Sequence, residues 1–283
     1  MIHCASGSPE VIIQGTANML DAAQKIGVKR FVHLSTAEVY GNPRGEIDEN
    51  FPFQYTGNAY GDSKIEAEKL CWKYSAEGLP ITIIRPSIVY GPFSKEWTIR
   101  FAQSLQSGNW GIFKGYGEGT CNIVYISDLV EGILMAIQNE QATGQAFNFN
   151  GPDLVTWNQY LQGFNSALGF SKLRIINPAS AKIRASIMTP IRTSAKFVLY
   201  HFKSPLQKIS QRYKHAKKLM KSVEKSLKTT PRLEELGLFN RKAVYLKTKA
   251  EHLLGYKPKY DLDKGLELSV KWLEHIGLIN SKS

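Results

Sequence analysis

Apolar residues in the first 150 positions follow two spacings in turn. Short, nearly continuous apolar runs occur at MIHCAS (1–6), RFVHL (30–34), ITIIR (81–85) and AFNFN (146–150). Their length and their β-branched or aromatic content are those of strands buried on both faces. Between the first two runs, Val11, Gly15, Met19, Ala22, Ala23 and Ile26 repeat at helical spacing, and Gly27 stops the pattern. Residues 59–77 form a second amphipathic helix ended at Gly78, and 95–108 and 127–139 read as further helices. A loop with Gly41, Pro43 and Gly45, followed by an acidic stretch, separates RFVHL from the second helix.

This alternation predicts an α/β fold with a doubly wound parallel sheet. From 151 onward the pattern turns to helices and short irregular pieces. The expected division is therefore a parallel α/β domain over 1–150, with loops around 92–125 turned toward a second part. A smaller C-terminal part follows over 151–283.

Composition narrows the class. The chain has 283 residues, 43% hydrophobic and 21% charged, enough apolar material for a sizeable core. A disordered chain and a disulfide scaffold are excluded. Cys4, Cys71 and Cys121 have no metal-ligand spacing and read as reduced thiols of a cytoplasmic-type protein, with no metal site. No apolar run reaches the roughly 18–20 residues that span a bilayer. The N-terminus lacks a basic region leading into an apolar one, so no signal peptide is expected. The formal net charge is +12. All of it lies in 181–230, which holds thirteen Lys/Arg and one acid, Glu224.

The sharpest chemical signal is AYGDSKIEAEKL, residues 59–70. Tyr60 and Lys64 are four apart on a helix and share a face. A free phenol has a pKa of about 10, and a neighbouring ammonium favours the phenolate, so the pair makes a proton-transfer device. Taken alone, such a pair also occurs on solvated helix faces. Two strands add context. RFVHL runs into Ser35-Thr36-Ala37-Glu38, and ITIIR into Pro86-Ser87-Ile88. Both ends lie at the carboxyl rim of the sheet, where open α/β folds bind ligands.

With these pieces in order, together with GTANMLDAA, NIVYISDLVEGILMAI, FNFNGPDLVTW and KAEHLLGYKPKYDLDKGLELSVKWL, the chain resembles the extended branch of the short-chain dehydrogenase/reductases, the NAD-dependent epimerase/dehydratase group. The resemblance implies a Rossmann-type domain and hydride transfer between NAD or NADP and a hydroxyl or carbonyl carbon, in oxidoreductase or isomerase chemistry. It places Thr36 on the substrate oxygen with Ser35 as its support, Tyr60 as general acid/base, and Lys64 on both the phenol and the nicotinamide ribose. It also puts Pro86, Ser87 and Ile88 along the nicotinamide, with Ala5 and Ser6 bordering the cofactor phosphates and ribose. Dehydratases of the group read Thr-Asp-Glu where this chain has Thr36-Ala37-Glu38, which argues against that elimination. Glu38 is then either an acid/base or a loop carboxylate facing water. The implied substrate is a nucleotide sugar, the alternative a steroid-like or other lipid alcohol. Two copies are expected to pair through the helices at 9–26 and 59–77.

The chain departs from the group in one large respect. The glycine-rich turn that lets a helix N-terminus approach the pyrophosphate does not occur. The glycines of Gly115-Tyr116-Gly117-Glu118-Gly119 come too late and follow no βαβ unit. Three explanations stand: a fragment or misassigned start lacking the first βαβαβ half, a half supplied by another chain, or a non-catalytic homologue. Ile12 also stands where the group has Asn.

In 181–230 a helical stripe of Ile183, Ile187, Ile191, Ala195 and Val198 runs among the basic residues, with Phe197, Tyr200 and Phe202. Two readings remain open: a basic amphipathic helix at an anionic membrane surface, making the protein peripheral to the membrane, or a solvated basic face. No nucleic-acid motif accompanies the charge, so nucleic acid is not an expected partner.

Overall fold

A computed structural model of the chain describes residues 1–170, 173–201 and 229–279. They divide into two compact units. The first comprises Met1–Gly91, Thr120–Val155 and Arg241–Gly265; the second holds the described residues of 92–119, 156–240 and 266–283. The two units are interleaved along the sequence, with 92–119 in the second and 241–265 in the first. One reason is that Ala243–Tyr245 pairs in parallel with Gly45–Ile47, which returns 241–265 to the first unit. Both of these short strands lie where the sequence pattern shows only loop.

The first unit is built on a four-stranded parallel sheet: β1 (Ile2–His3), β2 (Phe31–Leu34), β3 (Ile81–Pro86) and β4 (Gln145–Phe149), in that spatial order. Helices cover both faces. On one, α1 (Pro9–Ile26) and α2 (Ala59–Ala76) bury Leu20, Ala23 and Cys71 against Phe31, Ile81 and Ile83. On the other, the helix Ile126–Gln138 buries Leu129 and Ile133 against Val32, Ile84 and Phe147. Successive strand residues point to opposite faces, so a strand covered on both sides has no polar face to show. The uninterrupted apolar runs follow from that geometry.

The helix ends obey local chemistry. Ser8 accepts from the Val11 amide, Pro9 opens α1, and Gly27 closes it at φ 70° with its amide on the Ala23 carbonyl. Asn58 caps α2 by accepting from the Tyr60 amide at 3.1 Å. The Asp62 carboxylate accepts from the Thr56 and Gly57 amides at 3.1 and 3.0 Å, fixing the approach to Tyr60.

The second unit has an aromatic core of Phe101, Trp110, Phe113, Trp157, Tyr160 and Phe239. Arg100 enters it, stacked on Trp110 and paired with Glu235. Its helix Pro178–His201 is the first part of the basic segment. The side chains of Ala195, Phe197, Val198 and Tyr200, together with Phe202 and the chain to 228, lie outside the described residues.

Candidate active site

The site forms where β2 ends beside the first turn of α2. The Ser35 amide still donates to the Ile84 carbonyl at 2.7 Å, continuing the sheet by one residue. Thr36 then caps a tight helical turn, Ala37–Tyr40, its Oγ1 accepting from the Glu38 amide at 3.2 Å. That turn meets α2 at Gly61, where a Cβ would stand 3.1 Å from the Glu38 carbonyl oxygen. The glycine lets the two segments close together, and the Thr36 hydroxyl comes near enough to the Tyr60 phenol to favour its ionised form.

Lys64 lies one turn further along α2 and is almost fully buried. Its Nζ donates to the Leu34 carbonyl at 2.8 Å and to the Ala5 carbonyl at 3.4 Å, bridging the carboxyl ends of β1 and β2. Burial holds its pKa below the ordinary lysine value, against the pull of Cys4, Cys71 and Glu68. The expected lowering of the phenol by this ammonium is not found. Tyr60 is 39% exposed, yet packing around its hydroxyl raises its pKa. The Thr36 hydroxyl opposes that rise, and the Glu38 carboxylate adds to it. The physical reason is direction: the ammonium is turned to two backbone carbonyls.

Ser35 reaches away from Thr36 into a buried polar network. Its Oγ donates to Glu68, which also receives Arg85 on both oxygens, Nη2–Oε2 2.7 Å. Arg85 Nη1 donates to the Tyr40 hydroxyl at 2.9 Å, and Tyr40 donates to Asn148 Oδ1 at 2.6 Å. Sequence reasoning missed Glu68 and Tyr40 and gave Arg85 no role. A signal existed for Glu68: it stands four after Lys64 on the stripe that carries Ile65 and Cys71, a charge on an apolar face.

Glu38 is neither isolated nor simply facing water. Its Oε1 accepts from Arg241 Nη1 at 3.1 Å, and Arg241 also donates to Tyr245 and Asn42. Arg241 lies about 200 residues away in sequence, and no local spacing could have found it.

The remaining expected residues divide. Ala5 and Ser6 are exposed at the carboxyl end of β1, just before the N-terminus of α1. Pro86 closes β3, but the Ser87 and Ile88 amides already donate to the Phe149 and Asn122 carbonyls at 2.9 and 3.1 Å. The Ser87 hydroxyl donates to Asn150 Oδ1 at 2.9 Å. The Ser87 and Ile88 amides are thus engaged within the protein, which leaves the other backbone groups of 86–88 as those that could line a nicotinamide. A ribose fits the neighbouring chemistry better. Lys64 has three N–H donors and directs two of them to carbonyls beside the exposed Ala5–Ser6 turn.

Comparison with known proteins bears on the family and the fold. The sequence pattern of the NAD dependent epimerase/dehydratase family matches residues 8–150. The chain is 32% identical over 154 residues to a UDP-N-acetyl-alpha-D-glucosaminuronate decarboxylase of Bacillus cytotoxicus, covering 51% of this chain and 47% of that protein. It is 25% identical over 284 residues to 3beta-hydroxysteroid-dehydrogenase/decarboxylase isoform 1 of Arabidopsis thaliana, covering 94% of this chain and 58% of that one. The chain thus spans about half the length of the curated relatives it matches. Among solved structures it resembles a UDP-glucuronic acid 4-epimerase from Bacillus cereus in complex with UDP-glucuronic acid and NAD. The TM-score is 0.64 at 22% identity, with 94% of this chain and 68% of that one covered. The parallel sheet, the Thr36–Tyr60 contact on its carboxyl rim and the match over 8–150 lead to one assignment: the chain belongs to the NAD dependent epimerase/dehydratase family.

Proposed function

We propose that this protein carries out NAD(P)-dependent oxidoreduction or epimerisation at a hydroxyl-bearing carbon of a nucleotide sugar. The observation that carries the reading is the placing of the Thr36 hydroxyl beside the Tyr60 phenol, one turn from the buried Lys64. When bound, the nicotinamide supplies the hydride acceptor or donor. The chain's own residues do the rest. Thr36 orients the substrate oxygen, and Tyr60 gives it a proton or takes one from it. Lys64 offers its third N–H to the nicotinamide ribose, beside Ala5 and Ser6. With its pKa raised, Tyr60 rests as a protonated phenol, ready to donate to a carbonyl. Removing a proton from an alcohol then calls for higher pH.

A steroid or related lipid alcohol is the second reading. It is favoured by the extent of the Arabidopsis steroid enzyme's match, 94% of the chain against 51% for the Bacillus sugar-nucleotide decarboxylase. Pairing of two copies through α1 and α2 belongs to the same proposal, and light scattering checks it.

The deciding experiment assays the protein from its natural gene with NAD or NADP against UDP-sugars and 3-hydroxysteroids, as wild type and as Tyr60→Phe. Turnover of one class is expected, with a loss of roughly two to four orders of magnitude in the variant and retained cofactor binding. Unchanged turnover in Tyr60→Phe overturns the assigned role.

A further inference from the structure

In the helix Pro178–His201, three large aliphatic side chains face outward. Ile183, Ile187 and Ile191 are 58, 58 and 44% exposed, while the small Ala181 and Ala185 are buried. A helix that only packs on a core has its large aliphatic side chains inside and its charges outside; here Ile183, Ile187 and Ile191 line the outer side. Steps of four residues advance about 40° around a helix, so the three isoleucines form one continuous ridge. Lys182 and Arg184 are exposed and flank that ridge on opposite sides. A hydrogen bond to Asn109 Oδ1 at 3.0 Å anchors Arg184 there. Over 181–201 the sequence has Lys182, Arg184, Arg192 and Lys196 and no acid.

We propose that the Lys182–Ile191 face docks on an anionic lipid bilayer, with the isoleucine ridge among the acyl chains and Lys182 and Arg184 at the headgroup phosphates. Charge selects this occupant. The ridge provides apolar area, the cations on either side meet a uniformly negative plane, and no carboxylate on the helix opposes it. The helix lies in the interface and does not span it: among the described residues, no helix is long and apolar enough to cross a membrane. The inference rests on neither substrate reading, since a surface-bound enzyme can act on a soluble or a lipid substrate.

The test is sedimentation of the purified full chain with phosphatidylcholine vesicles, with and without phosphatidylserine, at about 0.15 M salt. Binding is expected only to the vesicles containing phosphatidylserine. The combined variant Ile183→Gln, Ile187→Gln, Ile191→Gln should lose at least tenfold in partitioning while its melting temperature and circular dichroism stay unchanged, because the replaced side chains are exposed. Lys182→Gln with Arg184→Gln should weaken binding and reduce its salt dependence. Absence of binding by the wild type overturns the proposal. So does equal binding by the glutamine variant, which would leave charge elsewhere responsible. A glutamine variant that dissociates an oligomer without changing vesicle binding makes the ridge a contact between copies and likewise overturns it. Tyr60→Phe should bind vesicles as the wild type does, so this outcome is separable from failure of the enzymatic reading.

Discussion

Arg85 and Glu68 form a paired, doubly hydrogen-bonded contact in the interior of the first unit, with side chains 4 and 0% exposed. The pair ties α2 to β3, and through the Ser35 hydroxyl it also ties both to the end of β2. Thr36 is the next residue, so the pair sets the ground on which the site stands. Removing one partner leaves an uncompensated charge out of water. Arg85→Ala or Glu68→Ala is expected to cost about 3–5 kcal/mol, read as a fall in the urea midpoint. A loss below about 1 kcal/mol would mean that water reaches the survivor.

The Glu38–Arg241 pair predicts opposite shifts in pH dependence. The Glu38 carboxylate is one cause of the raised phenol. Glu38→Gln should move the alkaline limb of alcohol oxidation to lower pH. Arg241→Ala leaves that carboxylate without its 3.1 Å partner and should move the limb to higher pH. A pH profile of kcat for each variant checks the signs, and shifts in the same direction would contradict the account.

His33 makes stability fall in acid. It is fully buried, both ring nitrogens lack a hydrogen-bond partner, and burial, then Lys64 and His3, hold its pKa well below the ordinary value. The stacked His3, whose ring shares a hydrogen bond with Thr16, is lowered in the same direction. The unfolded chain takes up a proton near pH 6.5 while folded His33 stays neutral. Stability is therefore complete above that pH and declines as pH falls below it. Chemical denaturation at pH 7.5 and 5.5 should show the decline, and His33→Leu should make it shallower. An identical slope in the variant would remove His33 as the cause.

Gly61→Ala separates stability from function. Alanine favours a helix by up to about 1 kcal/mol, but its Cβ would press on the Glu38 carbonyl at 3.1 Å. Stability should change by less than about 1 kcal/mol while turnover falls, because the push opens the Thr36–Tyr60 contact. Calorimetry and initial rates on the same preparation test this, and unchanged turnover would show that the turn can yield.

The four parallel strands, α1 with its Ser8 and Gly27 boundaries, and the presence of Thr36, Tyr60 and Lys64 near one another were legible from the chain alone. Each depends on local spacing: continuous apolar runs for strands covered on both faces, and a four-residue step for Tyr60 and Lys64. Partner choice was not legible. Lys64 chose the Leu34 and Ala5 carbonyls, Glu38 chose Arg241, and Ser35 chose Glu68. Those choices depend on which distant segments the sheet order brings together and on how far burial desolvates each charge. The outward turn of Ile183, Ile187 and Ile191 was equally hidden, because a helical stripe has the same period whichever way it faces. The sequence by itself determined the four main strands, the helices that cover them and the reactive side chains they carry. Only the tertiary structure decided where each charge is directed, because long-range contacts and desolvation have no local signature.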